Sequence, residues 1–79
     1  MDVFEMWLKE EKNMTQRSAK DVISRCKRVQ RLIDCEGLNA QSLNLLLQSE
    51  EYGELSPFIR SQLKRALTLY LEFTMSKAS

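Results

Sequence analysis

The stretch from Thr15 to Ile33 constrains this chain more than any other part of it, because apolar and basic residues separate there onto opposite sides of one helix. At about 100° per residue, Ala19, Val22, Ile23, Cys26, Val29 and Ile33 share one face. Arg17, Lys20, Lys27, Arg28 and Arg31 share the other, with Ser24 between them. The apolar side can bury against a small core. The cationic side is left free to meet a polyanion, and a nucleic-acid backbone fits that description best.

A chain of 79 residues makes one domain, expected over 1–79, with room for about four helices and too little for an enzyme of ordinary size. Two glycines, one proline and few positions of period two argue against a sheet joined by tight turns. The net charge of +1 conceals an uneven distribution. Residues 1–14 carry −2 and residues 34–56 carry −5, whereas 15–33 carry +5 and 57–79 carry +3. Net charge alone argues against nucleic-acid binding; its pattern argues for it.

Histidine is absent and the two cysteines do not form a CxxC pair, so neither a metal site nor another cofactor is expected. Cys26 falls on the apolar face and reads as a small core residue. Cys35 lies just past the helix end. Both are expected to be reduced, as suits a cytoplasmic protein. No apolar run approaches the length of a membrane span, and the start of the chain lacks the features of a signal peptide.

Local signals predict four helices, over about 2–12, 15–35, 40–49 and 57–75. Asp2 can cap the first, with Val3, Phe4, Trp7 and Leu8 as its stripe, and Asn13 can stop it in the left-handed conformation. Thr15 reads as the cap of the second, and Gly37 as its C-terminal signal. Asn39 caps a short third helix that buries Leu43, Leu46 and Leu47, with Leu45 nearby. Residues 50–55, with Glu50, Glu51 and Glu54, read as an acidic loop containing Tyr52. Ser56 followed by Pro57 is a strong start for the last helix. Its stripe is Ile59, Leu63, Ala66, Leu67, Tyr70, Phe73 and Thr74, with Arg60, Lys64 and Arg65 off it. The expected fold is an all-α, compact four-helix bundle.

The first helix opens Phe4-Glu5-Met6-Trp7-Leu8, and the last reads Ser56-Pro57-Phe58-Ile59-Arg60-Ser61-Gln62-Leu63-Lys64-Arg65-Ala66-Leu67 before Tyr70-Leu71-Glu72-Phe73. In the order and spacing of its four helices, over about residues 2–75, the chain resembles the N-terminal core-binding (SAM-like) domain of tyrosine recombinases, the phage-integrase family. That resemblance implies one jaw of a clamp around duplex DNA, with the second and fourth helices on the DNA. At the start of the second helix it implies phosphate contacts from the matching Thr15, Arg17, Ser18 and Lys20. It further implies a recombinase catalytic domain or protomer as partner. The chain departs from the family where Val22 replaces a common aromatic and Leu67 a common basic residue. The family's catalytic arginine, lysine, histidine and tyrosine have no counterpart here, so no catalysis by this chain is expected. Tyr70 lies on the apolar stripe, and Tyr52 is without activating partners.

The candidate DNA-binding residues are therefore Thr15, Arg17, Ser18, Lys20, Lys27, Arg28, Arg31, Arg60 and Lys64. Arg60 adds its charge close to a helix N-terminus, which itself attracts phosphate. On the second helix Asp21–Arg25 is the one clear pair of opposite charge four residues apart, so the other cations exceed what solubility requires. Trp7 sits among Phe4 and Leu8 and reads as core rather than as a stacking platform. The alternative is a protein-interaction or regulatory module that pairs with a recombinase or with itself, to which the alternating acidic and basic segments are suited.

Overall fold

The computed structural model describes residues 2–78, and side chains as far as Ser76. Met1 and Ser79, the limits of the expected domain, and the Lys77 side chain lie outside the described residues. Within them the chain folds into helices only: α1 (Asp2–Glu11), α2 (Gln16–Leu32), α3 (Ser42–Gln48), α4 (Glu50–Glu54) and α5 (Pro57–Ala78). None of these is long and apolar enough to cross a membrane.

Local chemistry sets most of the boundaries. Asn13 takes φ 54° and stops α1, while the Leu8 carbonyl accepts from the N–H groups of Lys12 and Met14, each at 3.2 Å. Thr15 caps α2: its Oγ1 accepts from the Ser18 N–H at 3.1 Å. Ser56 Oγ accepts from the Ile59 N–H at 3.3 Å, and Pro57 occupies the first helical position, where no N–H is needed.

Four boundaries differ from the sequence expectation, the simplest being the end of α5, which runs to Ala78 rather than to about 75. The end of α2 does not use Gly37. Asp34 takes the left-handed conformation instead, at φ 52°. The Cys35 N–H donates to the Gln30 carbonyl at 3.0 Å and the Asp34 N–H to the Arg31 carbonyl at 3.4 Å, which is the Schellman arrangement with an aspartate in the usual glycine position. The Gln30 side chain adds a bond from Nε2 to the Glu36 carbonyl at 2.7 Å. Next, α3 begins at Ser42 rather than at 40, because Asn39 builds a turn ahead of the helix. Its Oδ1 accepts from the Gln41 N–H at 2.8 Å and its own N–H donates to Ser42 Oγ at 2.9 Å. Finally, the expected acidic loop is α4. Ser49 Oγ caps it through the Tyr52 N–H at 3.3 Å, and Glu50 and Glu51 lie in its first turn, where the helix dipole favours anions. Tyr52 is buried, and its hydroxyl donates to the Arg60 carbonyl at 2.9 Å, tying α4 to the first turn of α5.

The core lies where α2 packs on α5, the most extensive helix pair, with α1 and α3 closing over it. Ala19, Val22, Cys26 and Val29 of α2 and Leu63, Ala66, Leu67 and Phe73 of α5 are buried, as the periodicity predicts. Phe4 stands edge-on to Tyr70 and tilted against Phe73, both at 5.1 Å between ring centroids, and Trp7 packs on Phe73 at 5.6 Å. Trp7 is thus a packing residue, with the Lys12 ammonium 5.4 Å from its ring centroid. Val3 and Leu47, expected on buried stripes, are half exposed, because α1 and α3 each meet the bundle along a narrower line. Leu69, absent from the expected stripe, is buried, because α1, α2 and α3 all pack on α5 and widen its apolar arc.

Candidate nucleic-acid interface

The cations of α2 are exposed for a simple geometric reason. Its core line runs through Ala19, Val22, Cys26 and Val29, so residues about half a turn away point outward. Arg17, Lys20, Lys27, Arg28 and Arg31 are all exposed, as is Lys64 on α5. Among the described residues none of them has a carboxylate within ion-pair distance; the ion pair found there is Lys12–Glu72 at 2.7 Å. Asp21 and Arg25 share a groove without forming the expected pair.

The outward cations do not form one uniform face. On the α1 side, Lys20 and Lys27 open with Ser24 onto a groove shared with Asp2 and Glu5. At the end of α2, Lys27 and Arg31 line a second groove with Asp34, Cys35 and Glu36. On the α5 side, Thr15, Ser18, Asp21 and Arg25 line a third with Lys12 and Arg65. Arg65 also borders a neighbouring hollow on α5, formed by Ser61, Lys64, Thr68 and Leu69. Arg17 and Arg28 line none of these grooves and sit on the ridge between the two flanks of α2.

The structure therefore brings Thr15 together with Ser18, Lys20 with Lys27, and Lys27 with Arg31. None of the four grooves unites Arg28 or Arg31 with Arg60 or Lys64. Arg60 is set apart. It is half-buried, its carbonyl receives the Tyr52 hydroxyl, and its Nε is enclosed without a hydrogen-bond partner.

The charge pattern alone does not place Arg25 and Arg65 at the interface: Arg25 has Asp21 four residues before it as an expected partner. The missing signal was tertiary: the contact of Cys26 with Ala66 brings the residues just before them, Arg25 and Arg65, to one seam. The two hydroxyls also differ. Thr15 Oγ1 accepts the Ser18 N–H and donates to Ser18 Oγ at 3.2 Å, so its proton is committed to the cap. Ser18 retains a hydroxyl proton to donate outward.

Cys26 is fully enclosed beneath this surface. Its Sγ donates to the Ala66 carbonyl at 3.3 Å, and burial pushes the thiol up from 9.0 to about 12. Among the described residues no cluster of three or more cysteine or acidic side chains is placed to hold a metal ion. No protein family, curated protein or solved structure matches the chain.

Proposed function

We propose that this chain is a DNA-binding module of the core-binding type found in tyrosine recombinases, contacting the backbone of duplex DNA through α2 and α5. In that reading α1, α2, α3 and α5 stand for the four helices of the SAM-like bundle, and α4 is an added turn. The observation that carries it is the exposed, unpaired set Arg17, Lys20, Lys27, Arg28 and Arg31 along one helix, with Lys64 and Arg65 likewise exposed on α5. Phosphate contacts of this kind orient a protein on DNA and read little sequence themselves. The module supplies no catalytic group of its own; the chemistry belongs to a partner recombinase domain or protomer. Titrating a duplex of about 20 base pairs into isotopically labelled protein tests the reading. Amide shifts should concentrate in α2 and the first half of α5. Shifts confined to α1 and α3 would refute it.

A second reading, a module that pairs with a recombinase or with itself, draws on apolar side chains left in solvent. Phe58 is 71% exposed, and Leu45, Leu47 and Met75 are exposed as well. Light scattering of the DNA-free protein separates the two: a monomer at high concentration favours the DNA module, and a dimer favours pairing.

A further inference from the structure

The geometry points to the α2–α5 seam, rather than the middle of α2, as the seat of a backbone phosphate, held by Arg25 and Arg65 with Ser18 as the hydroxyl donor. This rests on the DNA-binding reading and adds Arg25 to it, paired with Arg65 at one seat.

Four observations carry the inference. First, the seam is rigid. Cys26 donates to the Ala66 carbonyl, and Val22, Cys26, Ala66 and Leu69 are all buried around it, so the backbone of Arg25 is held beside that of Arg65. Second, both guanidinium groups border one groove and neither is spent on a carboxylate among the described residues. A guanidinium fork matches two phosphate oxygens at once, which an ammonium does not.

Third, the two flanks of α2 differ in their counter-charge. Lys20 and Lys27 look across at Asp2 and Glu5, and Arg31 looks across at Asp34 and Glu36, so acidic groups offset the potential there. The seam has Asp21 alone against Arg25 and Arg65, and Glu72 is occupied by Lys12. Fourth, Arg65 borders both the seam and the hollow of Ser61, Lys64 and Thr68. The cations therefore continue from α2 across onto α5 through Arg65. Thr68 donates its hydroxyl to the Lys64 carbonyl at 2.9 Å, which leaves Lys64 as the next cation beyond it.

The test is fluorescence anisotropy of the full chain with a labelled 20-base-pair duplex at about 50 mM salt. The variants are Arg25→Gln, Arg65→Gln, Arg65→Lys, Lys20→Gln and Lys27→Gln, with helicity and melting checked for each. Loss of a charge-assisted phosphate contact should weaken binding about ten-fold in Arg25→Gln and in Arg65→Gln, and should lower the salt slope by about one. Because both arginines hold one phosphate, the double variant should lose clearly less than the product of the two single losses. Arg65→Lys should restore the salt slope without the full affinity. Lys20→Gln and Lys27→Gln, whose charge is offset by Asp2 and Glu5, should each weaken binding by about three-fold, less than either seam variant.

An unaltered chain that binds, together with Arg25→Gln and Arg65→Gln variants that bind as well as it does, overturns the seam and spares the DNA reading. So does a larger loss from Lys20→Gln or Lys27→Gln. An unaltered chain with no salt-dependent binding overturns both. If either Gln variant unfolds, Arg65→Lys decides: full affinity with unchanged slope overturns the bidentate seat.

Discussion

Replacing Cys26 by alanine should remove a specific loss of stability at high pH. The thiol has no exposed surface, donates to the Ala66 carbonyl and is pushed by burial from 9.0 to about 12. Between those values the unfolded chain releases this proton and the native chain keeps it. The unfolded state then binds fewer protons, so stability falls as pH rises above about 9. The stabilisation is fully present below 9 and is lost progressively toward 12. Three units correspond to a ceiling of about 4 kcal/mol, reached only near pH 12. Between pH 8 and pH 10 the loss from this group is on the order of 1 kcal/mol. A domain of this size has roughly 4–12 kcal/mol in total, so the effect is readable as a fall of roughly 1 M in the urea midpoint. Urea unfolding followed by circular dichroism at pH 8 and pH 10, for the unaltered chain and Cys26→Ala, isolates it, because every other group is common to the two. The unaltered chain should lose on the order of 1 kcal/mol more than the variant over this interval. Equal losses would refute the account of a buried thiol locking α2 to α5.

Three further outcomes follow from particular contacts. Tyr52→Phe should cost about 1 kcal/mol in urea unfolding, since it deletes the bond to the Arg60 carbonyl and keeps the ring; no change would mean that α4 is held by packing alone. Asn13→Val should cost about 1–2 kcal/mol through left-handed strain while Asn13→Gly costs nothing, as thermal melting will show. Glu5→Gln should raise DNA affinity about two-fold at low salt, because a unit charge roughly 8 Å away in a water-like dielectric is worth about 0.5 kcal/mol; anisotropy reads it directly.

Where the chain announces its own structure, it does so through local bonds. Thr15, Asn13 and the Ser56-Pro57 pair set their boundaries within a residue or two of themselves, so no knowledge of the fold is needed to find them. The apolar line of α2 is legible for the same reason: it is a period, and a period survives without coordinates. Other features follow neither a period nor the residue types usual at a helix end. Five residues with three glutamates and a glycine carry no helical period, and α4 exists because Tyr52 reaches Arg60. Asp34 displaces Gly37 as the left-handed residue because the Cys35 and Asp34 amides close onto Gln30 and Arg31 there.

The candidate interface divides in the same way. A helical wheel shows which α2 residues are exposed, and they are. It does not show that α1 brings Asp2 and Glu5 to face Lys20 and Lys27, or that α5 brings Arg65 beside Arg25. Arg60 illustrates the limit. Its place near a helix N-terminus is readable from Ser56 and Pro57, but its partial enclosure against α4 depends on a helix the local pattern does not reveal.

The central claim is that the unneutralised cations of α2 and α5 meet the phosphates of duplex DNA. Affinity for a duplex measured across a series of salt concentrations tests it most directly. With about five phosphates neutralised, log affinity should fall against log salt with a slope of roughly −4 to −5. A slope near zero, or no binding at about 50 mM salt, would contradict the claim.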